Sequence, residues 1–358
     1  MTTKRDERSE KARRALLDGC IARYHDWRLN PQIASDADLP IVEDIILSWD
    51  VVEKIKRLKE PLFPQRLGGA HSSVWYEQTL LGKKFLLLGK IDFLAIQSAF
   101  PHHQLHPYVG LAEKYSAHVE NLQSPQSRQD FDELNLCAKR LKSESLSSVT
   151  QKRCETFLKR TRENSRSLSN YVGKLWQKYE HLLVVHLDVG YNRFWLAQSN
   201  GAINVTFEEA QIHREALFLH LKRKFPYKLR GFVWRLEHSE SRSFHFQLLL
   251  FFETSEIYRS IDIAWRVGEL WRNQITCGKG MYFNRNVSEF LHPGIGLISS
   301  TSKENVAALK KEVIPRLMEP GKLIRLAIPG ARTFDKGNMP KPDKRKRGRP
   351  ATKSQYGQ

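Results

Sequence analysis

Two periods of apolar residues run along this chain, and the change from one to the other falls near residue 180. Over residues 39–58, Ile41, Val42, Ile45, Ile46, Val52 and Ile55 recur at helical spacings, and residues 111–122 read as a second amphipathic helix. Between them, residues 80–96 are too apolar for a surface loop, and their spacing leaves helix and strand both open. Residues 123–129 and the Ser-rich run at 143–149 read as loops or linkers. Past residue 180 the period shortens. Residues 182–189 predict a strand, apolar at first and then alternating at His186 and Asp188. Thr206-Phe-Glu-Glu209 is a capping box opening a helix with Leu217, Phe218, Leu221 and Phe225 on one stripe. Residues 231–238 and 243–252 are strands, and the Ser-Glu-Ser-Arg between them predicts a hairpin. A helix over 261–273 turns Ala264, Val267, Leu270 and Trp271 inward, and short strands follow at 281–284 and 296–299. Thr301-Ser-Lys-Glu304 is a second capping box, whose helix should falter near Pro315. There is no internal repeat.

The order β-α-β-β-α-β predicts an α+β fold built on a ferredoxin-like split βαβ antiparallel sheet, with helices on one side. At 358 residues the chain can bury a core in each of two domains. The pattern divides it into a mainly helical region over 1–172, an α+β domain over 180–335 and a basic tail over 336–358. The helical region shows no chemical cluster and reads as structural or as a docking region.

Charge narrows the class of partner. A formal net charge of +19 and a pI near 9.8 point to a polyanion, nucleic acid above all. No stretch of about 18 apolar residues is present to span a bilayer. The start, Met-Thr-Thr-Lys-Arg-Asp-Glu-Arg, lacks the apolar core of a signal peptide. Cys20, Cys137, Cys154 and Cys277 have no paired spacing and fit reduced thiols in a cytoplasmic protein. In the tail, Lys344, Arg345, Lys346, Arg347 and Arg349 stand among Pro340, Pro342, Gly348 and Pro350, a composition that stays disordered on its own. Arg347-Gly-Arg-Pro350 resembles an AT-hook, which threads a narrow A·T minor groove. The plainer reading is a solvated basic tail without groove preference.

One strand carries candidate chemistry. Alternation sets Ser243, His245 and Gln247 on one face and Phe244, Phe246 and Leu248 on the other. A lone strand histidine is more often a hydrogen-bonded structural residue than a ligand. Glu237 could complete a metal site, but a four-residue loop would turn it to the face opposite His245, and a different register would reverse that. Asp188 and His186 are further neighbours of ordinary polar-face type. Gly294-Ile-Gly296 lacks a strand-to-helix context and reads as a turn, not a phosphate cradle.

Several runs, in order, resemble one family: residues 231–237, 244–252 and 267–286, then Gly294-Ile-Gly-Leu-Ile298, Arg332-Thr-Phe334 and Arg347-Gly-Arg-Pro350. They are similar to the replication-initiation proteins of filamentous phages (inovirus gene II type) and their prophage relatives, within the HUH endonuclease superfamily. The resemblance runs from about residue 180 to the C-terminus. It implies binding to a phage origin and nicking of one strand, with Mg²⁺ or Mn²⁺ held by a histidine pair and a helical tyrosine as nucleophile. It also implies DNA and host replication proteins as partners, in the bacterial cytoplasm at the nucleoid.

Carried over by position, His245 is the first histidine of the pair and the second position is Gln247, so these two are the candidate metal ligands. The Tyr-x-x-Lys pattern falls on Arg316-Leu-Met-Glu319, putting Arg316 at the nucleophile and Glu319 at the lysine. These departures imply a DNA-binding protein whose nicking is weakened or lost. The alternatives are an active nickase with a relocated tyrosine, Tyr282 or Tyr191, and a DNA-binding repressor.

Overall fold

The computed structural model describes residues 38–67, 74–192, 205–225, 227–239, 243–254, 260–287 and 292–340. Helix α1 (Asp38–Ile55) buries Val42, Ile45, Ile46, Val52 and Ile55, as its spacing predicts. A short antiparallel pair follows, β1 (Gln65–Leu67) and β2 (Val74–Tyr76). The segment that sequence spacing left open is helical. It forms α2 (Leu80–Leu86), a 3₁₀ turn (Leu87–Lys90) and α3 (Phe93–Ala99), with Thr79 and Asp92 as side-chain caps. Next come β3 (His103–Leu105), α4 (Pro107–Glu120) and α5 (Arg128–Leu146).

The Ser-rich run is not a linker. Ser145 lies in the last turn of α5, and Ser147 alone separates α5 from α6 (Ser148–Lys178), its hydroxyl accepting from the Thr150 amide at 3.2 Å. Serine suits such a junction because its side chain replaces a missing intrahelical partner. Helix α6 runs straight through residue 172. Cys154 in its first half belongs to the N-terminal core, while Leu168, Tyr171, Val172 and Leu175 pack on the sheet that follows.

That sheet begins with β4 (His181–Tyr191), and α7 (Phe207–Arg223) crosses to β5 (Lys228–Ser239). Then come β6 (Ser243–Glu253), α8 (Ser260–Glu269) with a wide π turn at Leu270–Ile275, β7 (Gly280–Asn284) and β8 (Gly296–Ser299). Helix α9 (Lys303–Ala308) passes through a second π turn (Leu309–Val313) into α10 (Ile314–Met318) and a 3₁₀ turn at Glu319–Lys322. Strands β9 (Ile324–Leu326) and β10 (Phe334–Lys336) close the described chain.

The main sheet is antiparallel in the order β10-β5-β6-β4-β7, with β8 also paired to β4. Strands β4 and β5 run parallel with β6 inserted between them, which is the split βαβ arrangement within an α+β fold.

Three expectations need correction. Helices cover both faces: α7 and α8 lie on one, while the second half of α6 and the α9–α10 segment lie on the other. The near-unbroken apolar runs of β4 and β6 require it, because both of their faces are buried. The second capping box does not form; Ser302 is the N-cap of α9, and the Thr301 hydroxyl pairs instead with Ser299 at 2.9 Å. The helix does change character at Pro315, from π to α, with the wide turn falling just before the residue whose amide is missing. Of the tail placed at 336–358, Lys336 belongs to the sheet, paired with Val233 of β5. Among the described residues no helix is long and apolar enough to cross a membrane.

Candidate functional site

Pairing of β5 with β6 sets the site. Ser239 pairs with Ser243, so three residues connect the strands where four were expected, and the register moves by one. A one-residue slip moves every side chain to the other face. Glu237 therefore sits directly across from His245, and Arg235 across from Gln247. On the other side of β6, Asp188 pairs with Gln247. Five polar side chains from three strands thus share one face. Gly190 lies beside them, and a Cβ there would come within 3.0 Å of the His245 Cβ, so the strand needs its smallest residue at that point.

Hydrogen bonding orients the imidazole. His245 is 1 % exposed, and its Nδ1 lies 3.1 Å from the Ser243 carbonyl oxygen. A carbonyl only accepts, so Nδ1 carries a proton and Nε2 is turned toward Glu237 Oε2, 3.3 Å away. Gln247 Nε2 donates to the same oxygen at 3.5 Å. Arg235 approaches Glu237 Oε1 at 3.4 Å and also donates to the Leu317 carbonyl of α10. Asp188, 1 % exposed, accepts from Arg285 Nε at 3.0 Å and Nη2 at 2.5 Å. Asn286 pins the turn that carries Arg285, bonding the His186 backbone through both its amide oxygen (3.2 Å) and nitrogen (2.7 Å).

The contact between Arg235 and Leu317 brings α10 against this face. Arg316 is exposed on that helix. Burial, and then the charges of Arg285, Arg316 and His292, push the half-buried His186 down to about 4, so its ring is neutral at pH 7. Glu319 opens the 3₁₀ turn that follows.

The two relocated tyrosines do not reach this face. Tyr191 and Tyr282 project from the opposite one. There Tyr191 Oη lies 2.9 Å from His213 Nδ1, and Tyr282 donates to Glu269 at 2.8 Å. Burial pushes both phenols up, Tyr282 to about 12, with Glu269 adding to it. Gly294-Ile-Gly296 is a turn, closed by the Ile295 amide on the His292 carbonyl at 2.8 Å. Lys344, Arg345, Lys346, Arg347 and Arg349 lie outside the described residues.

The donors present fit a divalent metal poorly as arranged. Both carboxylates already face guanidinium groups, and Gln247 aims its nitrogen, a donor, at Glu237. Among the described residues no three His, Cys, Asp or Glu side chains are grouped to hold a metal ion. The site opens onto a cavity of about 70 Å³ whose lining includes Arg235, Glu237, His245, His103, Arg160 and Asn164. That space takes a few waters and no nucleotide.

Sequence reasoning missed Arg235, Arg285, Asn286 and the contributions of the helical half. Alternation on the first hairpin strand carried a signal for Arg235, which falls two residues before Glu237. Nothing local announced that α6 and β3 would border the site. Comparisons with protein-family models, with curated proteins and with solved structures find no match to this chain.

Proposed function

We propose that this chain is a DNA-binding protein of the phage or prophage rolling-circle replication-initiator type, built on an HUH-like sheet and recognising origin-like DNA, with strand cleavage weakened or lost. The observation that carries the reading is the seating of α10 against the His245 face through the bond from Arg235 to Leu317. This is the placement a nucleophile-bearing helix requires, and the residue at the nucleophile position is Arg316. A guanidinium holds a phosphate through several donors, but it cannot form the covalent link that a tyrosine oxygen forms. The charge of +19 supports a polyanionic ligand, and the placement of buried Tyr191 and half-buried Tyr282 on the opposite face weighs against a relocated nucleophile.

The full-length protein should retard origin-like DNA on a native gel. With end-labelled single-stranded DNA and Mg²⁺ or Mn²⁺, a denaturing gel should show no covalent adduct. The triple change Gln247→His, Arg316→Tyr, Glu319→Lys should recover nicking where each single change fails. A metal-dependent adduct from the unmodified protein, lost in His245→Ala, would overturn the reading in favour of an active nickase. Binding to a promoter with none to an origin would favour a repressor.

A further inference from the structure

One face of α6 carries three exposed cations that form no ion pair among the described residues. Lys152, Arg153, Thr156 and Arg160 recur at steps of three and four, so they form one stripe along the helix. Lys152, Arg153 and Arg160 are exposed, and none of them is ion-paired among the described residues. Of the acids nearby, Glu163 lies 4.0 Å from Lys159, Glu144, whose field reaches Arg153, is held by Lys114 at 2.7 Å and by Tyr115 at 2.9 Å, and Glu155 is exposed three residues on from Lys152 without an ion pair among the described residues.

Arg325 of β9 joins the stripe from across the seam. Its guanidinium lies 4.9 Å from the Phe157 ring centre, donates to the Phe157 carbonyl at 3.0 Å and also to Gln104. Its Nε is buried with no hydrogen-bond partner, and the Arg160 charge acts on it across the stripe. Like charges held together in this way are relieved by a bound anion.

Two spaces follow the stripe. A groove of about 630 Å³ is lined in part by Gln104, Lys152, Arg153 and Arg325, with Val149 and Phe157 among its apolar walls. The smaller cavity beside His245 is lined in part by Arg160, Asn164 and the same Arg325. Lys152 and Asn164 lie roughly 18 Å apart along the helix axis. The groove has room for a nucleotide or two and is far too small for a double helix, whose major groove alone is about 12 Å wide.

We propose that this stripe is a track for one strand of DNA, its phosphates over Lys152, Arg153, Arg325 and Arg160, ending at the mouth of the cavity beside His245. The inference rests on the DNA-binding reading above and assigns the helical half a task, strand guidance.

The test compares the full chain with its Lys152→Gln, Arg153→Gln, Arg160→Gln triple variant, titrating labelled oligothymidylate and a labelled duplex at several salt concentrations. Glutamine suits exposed helix positions, so an unchanged melting temperature is the folding control. Each phosphate contact on a single strand contributes about 0.7 to the salt slope, so the triple should lower that slope by about 2 and weaken oligothymidylate binding roughly tenfold or more. Duplex affinity should change less than about twofold. Arg223→Gln with Lys224→Gln, at the end of α7 on the other face of the sheet, should change neither. Wild-type binding with an unchanged slope in the triple overturns the track and leaves the DNA-binding reading standing. An equal loss on duplex overturns the single-strand assignment. A wild-type chain that binds neither probe overturns both readings.

Discussion

Asp188 and Arg285 show how much rests on single positions here. The carboxylate is buried and the guanidinium nearly so, and both nitrogens facing Asp188 bond one oxygen. Removing one partner of a buried pair leaves a desolvated charge, so Asp188→Ala should destabilise the fold by about 3–5 kcal/mol. Replacing both by apolar residues, Asp188→Val with Arg285→Leu, should recover much of that. Urea unfolding of the single and double variants is the measurement; a loss under about 1 kcal/mol in the single would show that the pair is screened. Legibility at this scale was uneven. Alternation was enough to place His245 and Gln247 on one face. It could not place Glu237, because that depended on whether three or four residues connect β5 to β6, and local spacing does not carry the count. Arg285 reaches Asp188 from 97 residues away, a pairing to which periodicity is blind.

Elements were more legible than their junctions. The strands at 182–189, 231–238 and 243–252 and the helix opened by Thr206 stand where apolar spacing puts them, since burial dictates both. The misses were chain segments whose fate depends on a distant partner: Lys336 joined a strand because β5 offered an edge, and the Ser-rich run became a helix junction. Two glycines separate local from tertiary demands. Gly110 lies exposed in α4, and a Cβ there meets nothing within 4 Å. Gly110→Ala should therefore stabilise by roughly 0.5–1 kcal/mol through helix propensity. Gly268 of α8 lies against the Tyr282 ring, 2.2 Å from where a Cβ would stand. Gly268→Ala should destabilise by about 1–3 kcal/mol through overpacking, and Tyr282→Leu should relieve part of it. Thermal melts of the four variants decide this; a neutral Gly268→Ala would mean that α8 slides freely over β7.

At the scale of the molecule, neutral histidines tie the helical half to the sheet. His103 of β3 and His238 of β5 face each other with ring centres 6.2 Å apart. Burial, then the neighbouring imidazoles, pushes them down to about 3 and about 4. His106, which caps α4 by accepting from the Tyr108 amide at 3.2 Å, is pushed down to about 3 by burial and then by Lys56. A histidine whose folded value lies below its unfolded value, near 6.5, leaves stability intact above that pH. The unfolded chain gains protons first as pH falls, so stability drains from about 6.5 down toward about 3. For His106 alone the loss at pH 5 is about 2 kcal/mol. Urea midpoints should drop from pH 7 to pH 5, and by less in His106→Asn, which keeps a capping acceptor without a titrating ring. An equal drop in both would assign the acid sensitivity to other groups.

The pairing of β3 with β9 has a consequence for how the protein comes into being. His103 meets Leu326 and Leu105 meets Ile324, and Leu323 completes the N-terminal core beside residues more than 200 positions earlier. A chain emerging from the ribosome therefore exposes the β3 edge and an unfilled gap in that core until residues 323–326 are made. Contacts of such separation form slowly and leave a strand edge open to wrong partners in the interval. The nascent chain is thus exposed to aggregation throughout the interval between the synthesis of β3 and that of β9, whose arrival ends it.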